Sequence, residues 1–448
     1  MSTSGSKNSF NILLYCLIIF LSSCKPDLEV PVPKRGEADF SVSIAVGDNF
    51  LSGYQDGALH RKGQELNIPA LLSQQFSLAG GGNFSQPLMS DDYGIGLNPK
   101  PWEGIYLSKK VLGYRTNCEG VTGLFPLSAG ISQVSAAAYL SPVSGTMNNL
   151  SVPFLKTSDI FNPQTGTSSG NVFYHRFAKT PGTSTVLSDI DSANATFFTL
   201  WTGMEDIYDY ARNGGYNKTI LPPAQFEIYL DSVLLALTSN GAKGIIADIP
   251  ELNSFPFYTL VPFNGAKLSA NQADSLNTLW NGFPQIHFAE GDNAFVIEDS
   301  SVPGNYRQMV NGEMITLNAP LDSMRCNLYG LLLTVIHDQY VLDTSEVAVI
   351  SEHIQQYNAI IRQKALQYNL AFADMNRFFK NVVAGIKWDG ADYNAEFISG
   401  GFFSLDGFHP NQKGYALIAN EFIKATNAKY NSTLPLVNCF ECDGILFP

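Results

Sequence analysis

The chain has 448 residues, with 27 basic against 40 acidic side chains and a formal charge of −13 at pH 7. So acidic a body argues against nucleic-acid binding and against electrostatic docking on anionic lipid. Low charge (15%) with 12% aromatic residues is the composition of a packed globular protein, and the length suits one α/β domain only if it carries large insertions.

The first element in chain order is a processing segment. Lys7 precedes the apolar run Ile12 to Leu21, which is too short to span a bilayer comfortably and then meets Ser22, Ser23 and Cys24. This predicts a secretory signal over residues 1–23, whose removal takes Lys7 with it and leaves a net charge of −14 from 26 basic and 40 acidic residues. Leu21-Ser22-Ser23-Cys24 resembles a lipobox, so Cys24 is expected to carry an acyl group and to become the new N-terminus. An acyl anchor, rather than a basic patch, would then hold the protein at a membrane. Residues 24–38, with Pro26, Pro31, Pro33 and Gly36, lack periodicity and read as a tether.

The body is expected over residues 39–430, followed by a tail over 431–448. Phe40 to Val46 reads as a buried strand that turns at Gly47-Asp48 into helical patterning as far as about Phe76. Ala195 to Trp201, Gly244 to Asp248 and Leu370 to Asp374 read as further strands. Between and after them, Ala224 to Ser239, Thr344 to Tyr368 and Gly414 to Lys429 have helical periodicity. Strands alternating with helices predict a three-layer α/β sandwich with a central parallel sheet. Residues 77–190 and 250–327 break the alternation and read as insertions that form a cap over the active-site end of the sheet.

Cys118, Cys326, Cys439 and Cys442 remain after processing. Cys439-Phe440-Glu441-Cys442 has no second Cys or His pair to complete a zinc site, and export favours at least one disulfide, with the pairing left open. His60, His175, His287, His337 and His353 are scattered without ligand-like spacing and read as ordinary surface or core residues.

Chemistry is concentrated in four short blocks. Gly47-Asp48-Asn49 follows the first strand, where α/β enzymes place reactive groups. Asn149 to Phe154 and Gly203-Met204-Glu205-Asp206 lie between, and Asp406-Gly407-Phe408-His409-Pro410 precedes the last helix. In their order these blocks resemble the SGNH (GDSL) hydrolases, whose first block is Gly-Asp-Ser and whose last is Asp-x-x-His-Pro. Tyr54-Gln55-Asp56-Gly57 strengthens the likeness to exported bacterial lipoproteins of that family.

The resemblance implies a flavodoxin-like sandwich and a serine esterase mechanism, in which His accepts the serine proton and Asp orients His. It also places Asn49 at the nucleophile, Phe154 at the oxyanion-hole glycine and Glu205 at the oxyanion-hole asparagine, while Asp406 and His409 are retained. A carboxamide cannot replace the hydroxyl nucleophile, the Phe154 ring would crowd an acyl group, and a carboxylate at Glu205 would repel an oxyanion. Ser52 lies one helical turn from Asn49, about 5.4 Å of rise and too far to attack the same carbonyl, so it reads as a packing residue.

Two functions are therefore expected to compete. In the first, the chain is a degenerate, non-catalytic esterase-like lipoprotein of a Gram-negative-type cell envelope, most simply at the outer membrane, which binds an acyl or glycan ester or an outer-membrane protein. In the second, it is an active ester hydrolase in which His409 and Asp406 activate water with Glu205 or Asp48 as partner. No cofactor is implied, and nothing in the spacing of Glu205, Asp206 and His409 singles out a metal site.

Overall fold

The computed structural model describes residues 32–96, 108–130 and 141–448. Contacts divide the chain into Met1–Pro33 and Lys34–Pro448, and every element named below belongs to the second unit. The signal segment and Cys24 lie outside the described residues.

In chain order the elements that position the site begin with β1 (Ser43–Gly47), α1 (Asn49–Ser52) and α2 (Ile68–Ser77). A hairpin of β2 (Lys110–Thr116) and β3 (Thr122–Ser128) precedes β4 (Phe197–Trp201), α3 (Met204–Arg212), α4 (Pro223–Thr238) and β5 (Lys243–Ala247). Then come α5 (Leu321–Cys326), α6 (Thr344–Gln367), β6 (Ala371–Ala373) and α7 (Met375–Ala384), and α8 (Gln412–Tyr430) follows the last block.

β1, β4, β5 and β6 form a parallel sheet in that order. Their residues are almost all buried because both faces are covered, which is why the strands read as continuous apolar runs. α2 and α8 pack on one face, while α4 and α6 pack on the other. On the second face Phe226 and Tyr357 stack with ring centroids 3.8 Å apart. The second block runs along the free edge of β1: Ala45 N–H donates to Asn148 O (2.9 Å) and Leu150 N–H donates to Ala45 O (2.8 Å).

Counting that short segment as the second strand, the sheet order is 2-1-3-4-5, the flavodoxin-like arrangement whose switch point lies between strands 1 and 3. Asn49 follows β1 and Glu205 follows β4, so both lie at the carboxyl ends of the strands that flank the switch point.

The helical patterning expected between Gly47 and Phe76 is broken in the structure. α1 stops at Gly53 (φ +85°), and Asp56 (φ +56°) and Gly57 (φ +78°) turn the chain before the helix Arg61–Glu65 and α2. A left-handed backbone at three positions in five interrupts any helix.

A second apolar cluster, with members from Ala266 to Val341, surrounds Trp280, whose indole N–H donates to Leu331 O (2.7 Å). Cys118, next to the turn between β2 and β3, is disulfide-bonded to Cys326 at the end of α5 (Cα–Cα 5.8 Å). Beside it Arg115 forms a two-pronged ion pair with Asp322. The expectation of at least one disulfide is met, and its partners come from the two segments that interrupt the strand–helix alternation.

Candidate functional site

Gly47 ends β1 where the strand lies so close to β4 that a Cβ would stand 2.3 Å from Trp201 O. Only glycine allows that approach, and it delivers Asp48 and Asn49 to the switch point. Asp48 is 1% exposed and its Oδ2 accepts the Glu205 N–H (3.3 Å). Burial, reinforced by the charge of Glu205, pushes the Asp48 carboxyl well above the usual carboxylate range.

Asn49, 2% exposed, is engaged at both ends of its carboxamide. Its Oδ1 accepts the Phe154 backbone N–H (2.5 Å), and its Nδ2 donates to Glu205 Oε2 (3.4 Å). Phe154 sits at φ +61°, a left-handed conformation that costs a non-glycine residue about 1–2 kcal/mol. That conformation explains why a glycine is expected there. The Phe154 N–H still points into the site, as its block position implies, but Asn49 occupies it.

Glu205 is not the bare carboxylate expected from sequence. Arg212, seven residues on in the same helix, reaches back with Nη1 to Oε2 (3.0 Å) and Nη2 to Oε1 (2.5 Å). Its guanidinium also lies over the Phe154 ring, 5.5 Å from the centroid. Asn49, Phe154, Glu205 and Arg212 thus form one closed cluster in which each residue is bonded to, or stacked with, another. Sequence reading missed Arg212, because a charge pair across two helical turns leaves no local signature.

The last block is held differently. Asp406 Oδ1 accepts the N–H groups of Phe408 (2.9 Å) and His409 (2.8 Å), while Oδ2 accepts Gly57 N–H (2.9 Å) and faces His409 Nδ1 at 2.8 Å. Burial alone would raise this carboxyl. The His409 ring and the N–H donors outweigh it and hold Asp406 well below the usual range. Asp56 steadies the same turn, with its Oδ1 accepting Leu405 N–H (2.9 Å) and its N–H donating to Ser404 Oγ (2.9 Å). The strained Asp56-Gly57 turn therefore positions the dyad.

His409 is 4% exposed and packs against Phe50 (centroids 5.4 Å apart) and Tyr54 (4.9 Å). Its Nε2 has no hydrogen-bond partner among the described residues.

Asp206 turns away from these groups. Its Oδ2 accepts Thr157 Oγ1 (2.5 Å) and Thr157 N–H (3.0 Å), and burial pushes the carboxyl up to about 7. It ties the chain after the second block to α3, and among the described residues no three His, Cys, Asp or Glu are arranged to hold a metal ion. Ser52 is buried and donates to Asn49 O (2.9 Å), which makes it a helix-packing residue. His60, expected to be ordinary, is 1% exposed and lies 3.0 Å from Asp92 Oδ1.

With the switch-point cluster and the Asp-x-x-His turn in place, the family can be assigned. A model of the GDSL-like lipase/acylhydrolases matches residues 145–422, more than half of the chain. The chain belongs to the GDSL-like lipase/acylhydrolase family. The match spans the second, third and last blocks of this GDSL-family protein and stops short of Gly47-Asp48-Asn49. Among solved structures, the chain is similar to an alpha/beta hydrolase enzyme from the metagenome of Lake Arreo, Spain (11% identity, TM-score 0.36, 88% of this chain and 97% of that one). It is also similar to a protein from Parabacteroides merdae described as a GDSL-like lipase (11% identity, TM-score 0.34, 88% and 99%). No curated protein matches this sequence closely enough to be compared.

Proposed function

We propose that this GDSL-family chain is a non-hydrolysing member, held in the bacterial envelope by an acyl group on Cys24, in which the ester site has become part of a binding protein. The observation that carries this reading is the Asn49 carboxamide. It replaces the nucleophile, takes the Phe154 N–H that an oxyanion would need, and bonds to Glu205, whose charge Arg212 already neutralises. Losing the nucleophile alone costs on the order of 10⁶ in rate, and losing one oxyanion donor on the order of 10²–10³.

An acyl or glycan ester could enter only if Asn49 and Phe154 moved. A protein partner of the outer membrane needs no such movement. The intact dyad, with Asp406 2.8 Å from His409 and Nε2 unpartnered, supports a second reading as a water-activating hydrolase. Assay on short acyl esters separates the two. The purified protein should be no faster than its His409→Ala variant, and turnover that vanishes with His409→Ala would overturn the non-hydrolysing reading.

Anchoring is tested independently. Among the described residues no helix is long and apolar enough to cross a membrane. Cys24→Ser should therefore move the protein from the membrane fraction to the soluble one. Unchanged membrane association, or a mature chain that still begins at Met1, would sink the lipid anchor.

A further inference from the structure

Cys439 and Cys442 are free thiols in this structure, and we propose that in the exported protein they join in a second disulfide that closes a turn within the C-terminal tail. The proposal rests on the proposed export of the chain, with which the Cys118–Cys326 bond agrees, because disulfides persist in oxidising compartments.

Cys439 and Cys442 stand at the ends of a single tight turn, with Cys442 N–H donating to Cys439 O (3.4 Å). A turn of this kind brings its first and fourth Cα atoms within about 7 Å, against the roughly 4.4–6.8 Å that a disulfide spans. Both thiols face the protein, at 0% and 4% exposure, whereas the intervening Phe440 is 57% exposed. The Cys439 Sγ–H donates to Val437 O (3.9 Å). Asn420 of α8 holds this turn in place: its Nδ2 donates to Val437 O (3.0 Å), its Oδ1 accepts Val437 N–H (2.6 Å), and Nδ2 lies 3.7 Å from Cys439 Sγ.

The chemistry requires a disulfide-carrying oxidant of the export compartment. One cysteine thiolate attacks that disulfide and expels a thiol. The second thiolate then attacks the resulting mixed disulfide and expels the other thiol. The protein loses two electrons and two protons, and the oxidant is reduced to two thiols. In the folded chain burial pushes the Cys439 thiol up to about 12 and the Cys442 thiol up to about 11. Thiolate is scarce in the folded chain, which slows exchange once the tail has packed.

The consequence is local. Asp443 N–H donates to Gln412 Oε1 (3.1 Å), and Asp443 to Pro448 then line a cavity of about 260 Å³ together with His60, Lys62 and Lys109. A closed Cys439–Cys442 ring fixes the starting point of that wall.

The test uses the full chain recovered from the envelope of a cell that exports it. It is unfolded and alkylated without reduction, then digested for peptide mass mapping. We expect no alkylation at Cys439 or Cys442, and a peptide spanning them that is lighter by two hydrogens than after reduction. Alkylation at both positions overturns the proposal. The state of Cys118 and Cys326 in the same sample tells whether the export premise failed with it: if they remain joined, only the second disulfide is refuted.

Discussion

Glu205→Ala should cost about 3–5 kcal/mol of folding free energy, the amount typical of breaking a buried ion pair from one side. The Glu205 side chain is 3% exposed and that of Arg212 is 10% exposed, and their two-pronged contact satisfies most of both groups. Removing the carboxylate would strand the guanidinium, for which Asp209 at 3.9 Å is a poor substitute, and would leave Asn49 Nδ2 without its acceptor. Arg212→Ala should cost a similar amount, because it strands a carboxylate beside the already crowded Asp48. Replacing both, as Glu205→Met with Arg212→Met, should recover most of the loss, since a well-packed apolar pair is often no worse than a buried ion pair. Denaturant unfolding with unchanged m-values measures all three. A single substitution costing under about 1 kcal/mol, the range of an exposed pair, would mean that the pair is not buried as described.

The second large effect concerns activity. Asn49→Ser alone should produce no measurable His409-dependent esterase activity. It restores a hydroxyl and frees the Phe154 N–H, but Glu205 still faces the place where the oxyanion would form, and such sites are strongly non-additive. Restoring Glu205→Asn as well is insufficient in this structure, because it would strand Arg212. The variant expected to work combines Asn49→Ser, Phe154→Gly, Glu205→Asn and Arg212→Leu. Phe154→Gly also relieves the left-handed strain at φ +61° and opens the space taken by the ring. His409, with Nε2 unpartnered and Nδ1 facing Asp406, is the base on which this variant would depend. Hydrolysis of short acyl esters, lost again on adding His409→Ala, is the expected result. Appreciable turnover by Asn49→Ser alone would show that the Glu205–Arg212 pair does not close the site. A folded but inert fourfold variant would show that more than these four positions separates the chain from a hydrolase.

The elements of the sandwich were legible in the sequence because their signals are local. β1, β4, β5 and β6 are short apolar runs, and α4, α6 and α8 repeat apolar residues at helical spacing. The expectation that Asn49 is a poor nucleophile was equally local, since a carboxamide needs no neighbour to be one. Where backbone conformation overrode side-chain periodicity, the reading failed: the stretch after Asn49 looked helical, but Gly53, Asp56 and Gly57 take left-handed angles that bring Gly57 to Asp406. Tertiary structure alone decided how the residues of the switch-point cluster relate. Residues 49, 154, 205 and 212 are far apart along the chain or two turns apart on one helix, and only the parallel order of the sheet brings them to one switch point. The pairing of Cys118 with Cys326, 208 residues apart, belongs to the same class. Apolar periodicity is a property of neighbouring residues and survives in a sequence. Charge neutralisation, the occupation of an N–H donor and disulfide pairing are properties of distance in space, and the chain acquires them only on folding.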